Sequence, residues 1–139
     1  MYGPHPGIAK EIFTYLLIMK TKKTIVLGAS PKSYRYSYLA VNALTAKGHE
    51  VIAVGRKPGA IGKTPILTEI GEVPDVDTIT LYLNAENQKP YYEKILALHP
   101  KRIIFNPGAE NQELAALAEA NQIEPAEACT LVLLSTGMY

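Results

Sequence analysis

The stretch "TKKTIVLGASPKSYRYSYLAVNALTAKGHEVIAVGRK", Thr21–Lys57, decides the fold. Thr24–Leu27 is a β-branched, apolar run closed by Gly28, the pattern of a strand buried on both faces. Ala40, Val41, Ala43 and Leu44 form an apolar stripe at helical spacing. They predict a helix from about Ser37 to Lys47, stopped by Gly48. Val51–Val54 reads as a second strand. Strand, glycine turn, helix and strand make the unit that commonly holds the diphosphate of a nucleotide.

Outward from this unit the alternation continues. "RKPGAIGKTPIL" reads as loop with a short strand at Pro65–Leu67, and Thr78–Leu83 as a buried strand. Pro90 suits a first helical turn, and Tyr91, Tyr92, Ile95, Leu96 and Leu98 carry that helix on. Arg102–Phe105 is a strand with "NPGAEN" as its exit loop. Leu114, Leu117 and Ala118 mark a helix ending near Asn121. A last short strand lies around Ile123–Glu127, and the tail holds a final helical turn. The fold class expected is α/β: a Rossmann-like doubly wound parallel sheet in three layers, α/β/α, with strand order 3-2-1-4-5.

The composition fits one globular domain of 139 residues, 47% apolar and 19% charged. A net charge of +1 gives no whole-chain signal for nucleic acid, so any basic function must be local. Cys129 is the one cysteine, which excludes an intrachain disulfide and fits a reducing cytoplasm, the localisation expected. Three scattered histidines and one cysteine have no metal-binding spacing. Residues 1–20 read as an N-terminal extension, with a surface helix over Gly7–Ile18, and residues 21–139 as the domain. The apolar run Ile12–Met19 is too short to span a bilayer and lacks the flanks of a signal peptide.

In a doubly wound sheet, ligands bind beyond the carboxyl ends of the strands, at the switch point beside the first strand. Residues that follow strands therefore lie on the ligand edge. These are Gly28, Ala29, Ser30, Lys32, Ser33 and Arg35, then Gly55, Arg56 and Lys57, then Leu83, Asn84 and Glu86, then Asn106, Pro107, Gly108 and Glu110. His49 and His99 precede strands and fall on the opposite edge, as surface loop residues. Cys129 lies past the last strand with no histidine but His5 left to activate it, which favours a packed or ligand-adjacent thiol. Glu86 and Glu110 read as helix-start acids. Tyr34, Tyr36 and Tyr38 are placed either to cover a ligand or to pack the surface.

The glycine turn departs from G-x-G-x-x-G: Gly28 holds the first position, but Ser30 and Ser33 hold the second and third. Backbone N–H groups and the helix start still offer a phosphate site, with Lys32 and Arg35 adding charge. The second strand exits through Gly55-Arg56-Lys57, where an NAD site would carry an acid. A phosphorylated ribose is favoured instead, as in NADP or coenzyme A (CoA). An exposed basic loop without a ligand is the alternative.

Together "TIVLGAS", "GHEVIAV", "IGKTPIL", "VPDVDTITLYL", "IIFNPGAEN" and "EACTLVLLSTGMY" resemble the small stand-alone CoA-binding proteins, over about Lys22–Tyr139. Their fold is like the nucleotide-binding domain of the succinyl-CoA synthetase alpha subunit. The resemblance implies non-catalytic binding of coenzyme A or an acyl-CoA. It puts the diphosphate at Gly28, Ala29, Ser30 and Arg35, and the adenosine end near Val54, Gly55, Arg56 and Lys57. Leu83 and Asn84 would lie under the ligand, and Asn106, Pro107 and Gly108 beside it. The chain departs from the family where a proline-valine-asparagine-proline pattern is common and Ala53-Val54-Gly55-Arg56 stands instead. Arg56 and Lys57 compensate if they meet the 3′-phosphate. The synthetase's phosphohistidine has no counterpart on this edge. The partner expected is a small-molecule nucleotide ligand, with no nucleic acid, no membrane and a homodimer as the one assembly considered. An NADP-linked enzyme or redox sensor, and a ligand-free interaction module, are the alternatives.

Overall fold

The computed structural model describes residues 6–139. Strands β1 (Thr24–Leu27), β2 (Val51–Val54), β3 (Gly59–Ile61), β4 (Thr64–Leu67), β5 (Thr78–Leu81), β6 (Arg102–Phe105) and β7 (Glu124–Glu127) form one sheet in the order β3-β4-β2-β1-β5-β6-β7. All pairings are parallel except β3 with β4. The helices are α1 (Pro6–Lys20), α2 (Tyr36–Ala46), α3 (Ala85–Gln88), α4 (Tyr92–Leu98), α5 (Gln112–Ala120) and α6 (Thr130–Ser135), with a 3-10 turn at Lys89–Tyr91. The α/β doubly wound fold is the one the sequence predicts, with the strand at residues 64–67 outermost of the parallel set. Beyond shifts of a residue or two, three elements differ, the first being the helix read as starting at Pro90, which is preceded by α3. Gly59–Ile61, read as loop, pairs back on β4 as an antiparallel edge strand through a turn at Gly62 (φ +58°). The strand expected to reach Leu83 ends at Leu81.

Strand parity divides the core. Ile25 and Leu27 face one side with Ile79, Leu81, Ile103, Phe105 and Leu114. Val26 and Ala53 face the other, against Val41 and Leu44 of α2 and Leu134 of α6. Complete burial of each such side chain contributes roughly 1.5–3 kcal/mol. β1 is buried along its whole length, as its unbroken apolar run requires. Outside this core, α1 lies on the surface with Ile8, Ile12, Phe13 and Tyr15 exposed.

α2 ends in a Schellman motif: Gly48 has φ +86°, its N–H bonds Thr45 O, and the His49 N–H bonds Leu44 O. The motif delivers His49 to the amino edge of the sheet, the edge the sequence assigns it, but not as a free loop residue. Its Nδ1 accepts from the Lys22 N–H at 2.9 Å, and its ring meets Tyr139 edge-to-face at 4.9 Å. Tyr139 in turn accepts from Lys22 Nζ and Arg102 Nη1 at its carbonyl, and its hydroxyl pairs with Thr24 Oγ1 at 2.6 Å. Burial, then the nearby Lys22, lowers the His49 pKa below its ordinary value. A lowered histidine pKa stabilises the fold above the unfolded-state value near 6.5, and that stability is lost as the pH falls through it. Between pH 7.5 and 5.5, wild type is therefore expected to lose more melting temperature than His49→Asn, which keeps an acceptor but does not titrate. Parallel losses would show that His49 is not the titrating group.

Candidate functional site

The turn after β1 is built on Gly28. Its φ is +98°, and a Cβ there would sit 3.0 Å from the Tyr82 carbonyl carbon and 3.1 Å from Leu83. The N–H groups of Gly28 and Ala29 both donate to Val54 O, at 2.8 and 2.9 Å. Val54 thus serves the sheet, and these two N–H groups point to it. The donors left for a ligand lie further on, at Ser30 and at the start of α2. Arg35 is the N-cap of α2 and makes no side-chain cap, so the first-turn N–H groups have no side-chain acceptor from it. An 11-residue helix with an open amino end presents a partial positive charge there.

A crevice of about 470 Å³ opens over this helix start. Of the ligand-edge residues expected from sequence, it is lined by Gly28, Ala29, Ser30, Lys32, Arg35, Arg56, Lys57, Leu83, Pro107 and Gly108. Gly55 lies with Gly28, Arg56 and Leu83 in an adjoining slot of about 150 Å³, closed by Asn87, Pro90 and Tyr91. Val54, Asn84 and Asn106 line neither. Asn84 caps α3, its Oδ1 accepting from the Asn87 N–H at 2.9 Å. Asn106 is buried, and its amide is committed to Thr80 Oγ1, Leu81 O and the Thr130 N–H. It braces the β5 end and the start of α6.

Other candidates separate by the same test. Tyr36 lines the crevice, while Tyr38 is half-buried against the α2-side core. Tyr34 lies exposed beneath the Arg35 guanidinium, 5.5 Å from its ring centroid. Glu86 pairs with Lys89 at 3.1 Å, and Glu110 Oε1 accepts from the Gly108 N–H at 2.8 Å. Cys129 is partly buried at the N-cap of α6 and does not line the crevice. His99 is exposed and ends α4 in the left-handed region at φ 48°.

The sequence reading missed Tyr82 and Gln88. Tyr82 lines the crevice because β5 stops one residue before it. Its hydroxyl is enclosed near Thr130 and Thr80, without a hydrogen bond of good geometry, and burial pushes its pKa up to about 12. It is neutral at ordinary pH. Gln88 is fully buried between two exit loops, which nothing in "AENQKP" distinguishes from the exposed Asn87 beside it.

The electrostatics are one-sided. Lys32, Arg35, Arg56 and Lys57 ring the crevice, are exposed, and stand in no ion pair among the described residues. Among the described residues, no carboxylate, histidine or thiol lines the crevice or the slot; His5 lies outside them. Beyond Arg102 the chain has no lysine or arginine, and Glu110, Glu113, Glu119, Glu124 and Glu127 sit on the β6–β7 side. A chain of net charge +1 thus concentrates positive potential at one ligand edge. Among the described residues no group of three or more His, Cys, Asp or Glu is arranged to hold a metal, and no helix is long and apolar enough to cross a membrane.

Comparison with solved structures agrees with this architecture. An uncharacterized protein of known crystal structure is 50% identical, with a TM-score of 0.84, and the match covers 86% of this chain and 98% of that one. A hypothetical protein from Pyrococcus horikoshii OT3 is 21% identical, covering 98% of both chains, with a TM-score of 0.76. A protein from Thermus thermophilus is 17% identical, covering 94% of this chain and 98% of that one, with a TM-score of 0.72. The last two show likeness of fold alone. A search of curated proteins found no match. The family model described as "CoA binding domain" matches residues 22–135, which takes in the glycine turn, the basic exit of β2 and both exits that close the crevice. The chain belongs to the CoA-binding domain family.

Proposed function

We propose that this protein binds CoA or an acyl-CoA in the crevice at the carboxyl edge of the sheet, as a binding module rather than a catalyst. One observation carries the reading: four exposed cations surround an uncapped helix start, and among the described residues no carboxylate shares the crevice. That arrangement suits a ligand with a diphosphate and a third phosphate. Residues 21–139 are the binding unit and residues 1–20 an extension. The base occupies the slot beside Gly55, and the diphosphate lies at Ser30 and the start of α2. The 3′-phosphate meets Arg56, which among the described residues is the one charged side chain lining both cavities. Acid–base chemistry has little to draw on, since Tyr82 holds its proton.

A thermal melt with CoA, dephospho-CoA and NADPH, each at millimolar concentration, tests the proposal. A ligand at a hundred times its Kd stabilises by about 2.7 kcal/mol. CoA is expected to raise the melting temperature by several degrees, dephospho-CoA less, and NADPH least. A larger shift with NADPH would transfer the site to a dinucleotide. No shift with any of the three would overturn the assignment.

A further inference from the structure

Gln88, at the end of α3, is 0% exposed. Its Nε2 donates to two carbonyls, Leu83 O and Ala109 O, each at 2.7 Å. Its Oε1 accepts from Asn111 Nδ2 at 2.8 Å, and Asn111 Nδ2 also reaches Tyr92 Oη at 2.7 Å. Leu83 belongs to the β5 exit and Ala109 to the β6 exit, and both line the crevice. The β5–β6 ladder ends at Leu81 and Phe105, so backbone pairing does not hold these exits at a fixed separation. The buried amide does. It also keeps both carbonyl oxygens on N–H donors, where they would otherwise be left unsatisfied.

We propose that Gln88 is a positioning residue that sets the gap between the β5 and β6 exits for the pantetheine arm of the ligand. The inference rests on the CoA reading above. With the base and phosphates at the β2 and β1 exits, the arm is left with the far end of the crevice, at Leu83 and Pro107–Ala109. Adjacent strands lie roughly 4.8 Å apart, so this end begins one strand beyond the glycine turn. Gln88 makes no hydrogen bond to the β2 exit, but Leu83, which it holds, and its neighbours Asn87, Pro90 and Tyr91 also line the slot given to the base, so the adenosine half shares only part of its support.

The test compares CoA with adenosine 3′,5′-bisphosphate, which lacks the arm, by calorimetric titration of the full chain. Gln88→Leu is expected to weaken CoA about tenfold, the scale set by unpairing buried carbonyls. The bisphosphate should lose clearly less than CoA, since only the slot wall at Leu83, Asn87, Pro90 and Tyr91 is shared. Asn111→Asp is the second variant, for use if Gln88→Leu does not fold. It keeps the acceptor that caps α5 at the Leu114 N–H, but turns the Gln88 amide round by offering Oε1 a carboxylate. The same selective loss of CoA is expected. Equal weakening of both ligands, or unchanged CoA binding, would overturn the role of Gln88 and leave the CoA site standing. Failure of wild type to bind either ligand would remove the site and this role together.

Discussion

Gly55→Ala is expected to lower the melting temperature by roughly 10 °C, from about 2–3 kcal/mol of overpacking in a domain of this size. A Cβ at Gly55 would fall inside the carbonyl oxygen of Ala29, with the Ala29 carbonyl carbon at 3.1 Å and Ile66 Cγ2 at 3.2 Å. Neither backbone is free to retreat. The Gly55 N–H is bonded to Leu67 O at 2.8 Å and the Ala29 N–H to Val54 O at 2.9 Å. Relief must come from separating the β2 exit from the glycine turn, which carries Arg56 away from Ser30. Affinity for CoA should fall along with stability. Gly71→Ala is the control, since a Cβ there meets nothing within 4 Å, and it should be neutral or slightly stabilising. Matching melting curves for wild type and Gly55→Ala would show that the two exits do not make this contact. The glycine at the β2 exit thus has a local cause, the oxygen of Ala29.

Much of this was legible in the sequence because the signals were backbone signals. The unbroken run Thr24–Leu27 required a strand buried on both faces, and Gly28 and Gly48 marked positive φ at a turn and a helix end. What stayed hidden depended on partners distant in sequence. Gly59–Ile61 has too few residues to show a period, and its strand exists only because Gly62 turns the chain back onto β4. "TLYL" continues an apolar run past Leu81, although the ladder stops there. Asn106 was placed beside the ligand because it follows a strand. Parity was the available signal against this: it shares a face with Ile104, pointing toward Thr80 and Thr130. The exit residues Lys32, Arg35, Arg56 and Lys57 were found by position alone, since strand ends in a doubly wound sheet converge on one edge. The position of His49 before a strand gives its edge, but its acceptor role depends on Lys22 and Tyr139, which are distant in sequence.

Arg56→Ala is expected to weaken CoA about tenfold or more while leaving dephospho-CoA nearly unchanged. A hydrogen bond to a charged group contributes about 1.5–3 kcal/mol, and the exposed position of Arg56 favours the lower end of that range. The specificity follows from place. On the proposed reading the base takes the slot beside Gly55 and the diphosphate takes the crevice. Arg56, which lines both cavities, then stands where the ribose would lie. Lys57 lines the crevice but not the slot, and an ammonium lacks the two-pronged fit of a guanidinium to phosphate. Lys57→Ala should therefore cost less. Because the contact is ionic and exposed, the CoA preference should shrink as salt rises. Calorimetric titration of wild type and Arg56→Ala with CoA and dephospho-CoA tests the account most directly. The account predicts that wild type prefers CoA and that Arg56→Ala loses this preference while still binding both ligands. Wild-type affinities that are equal for the two ligands, or an Arg56→Ala loss that is the same for both, would contradict it.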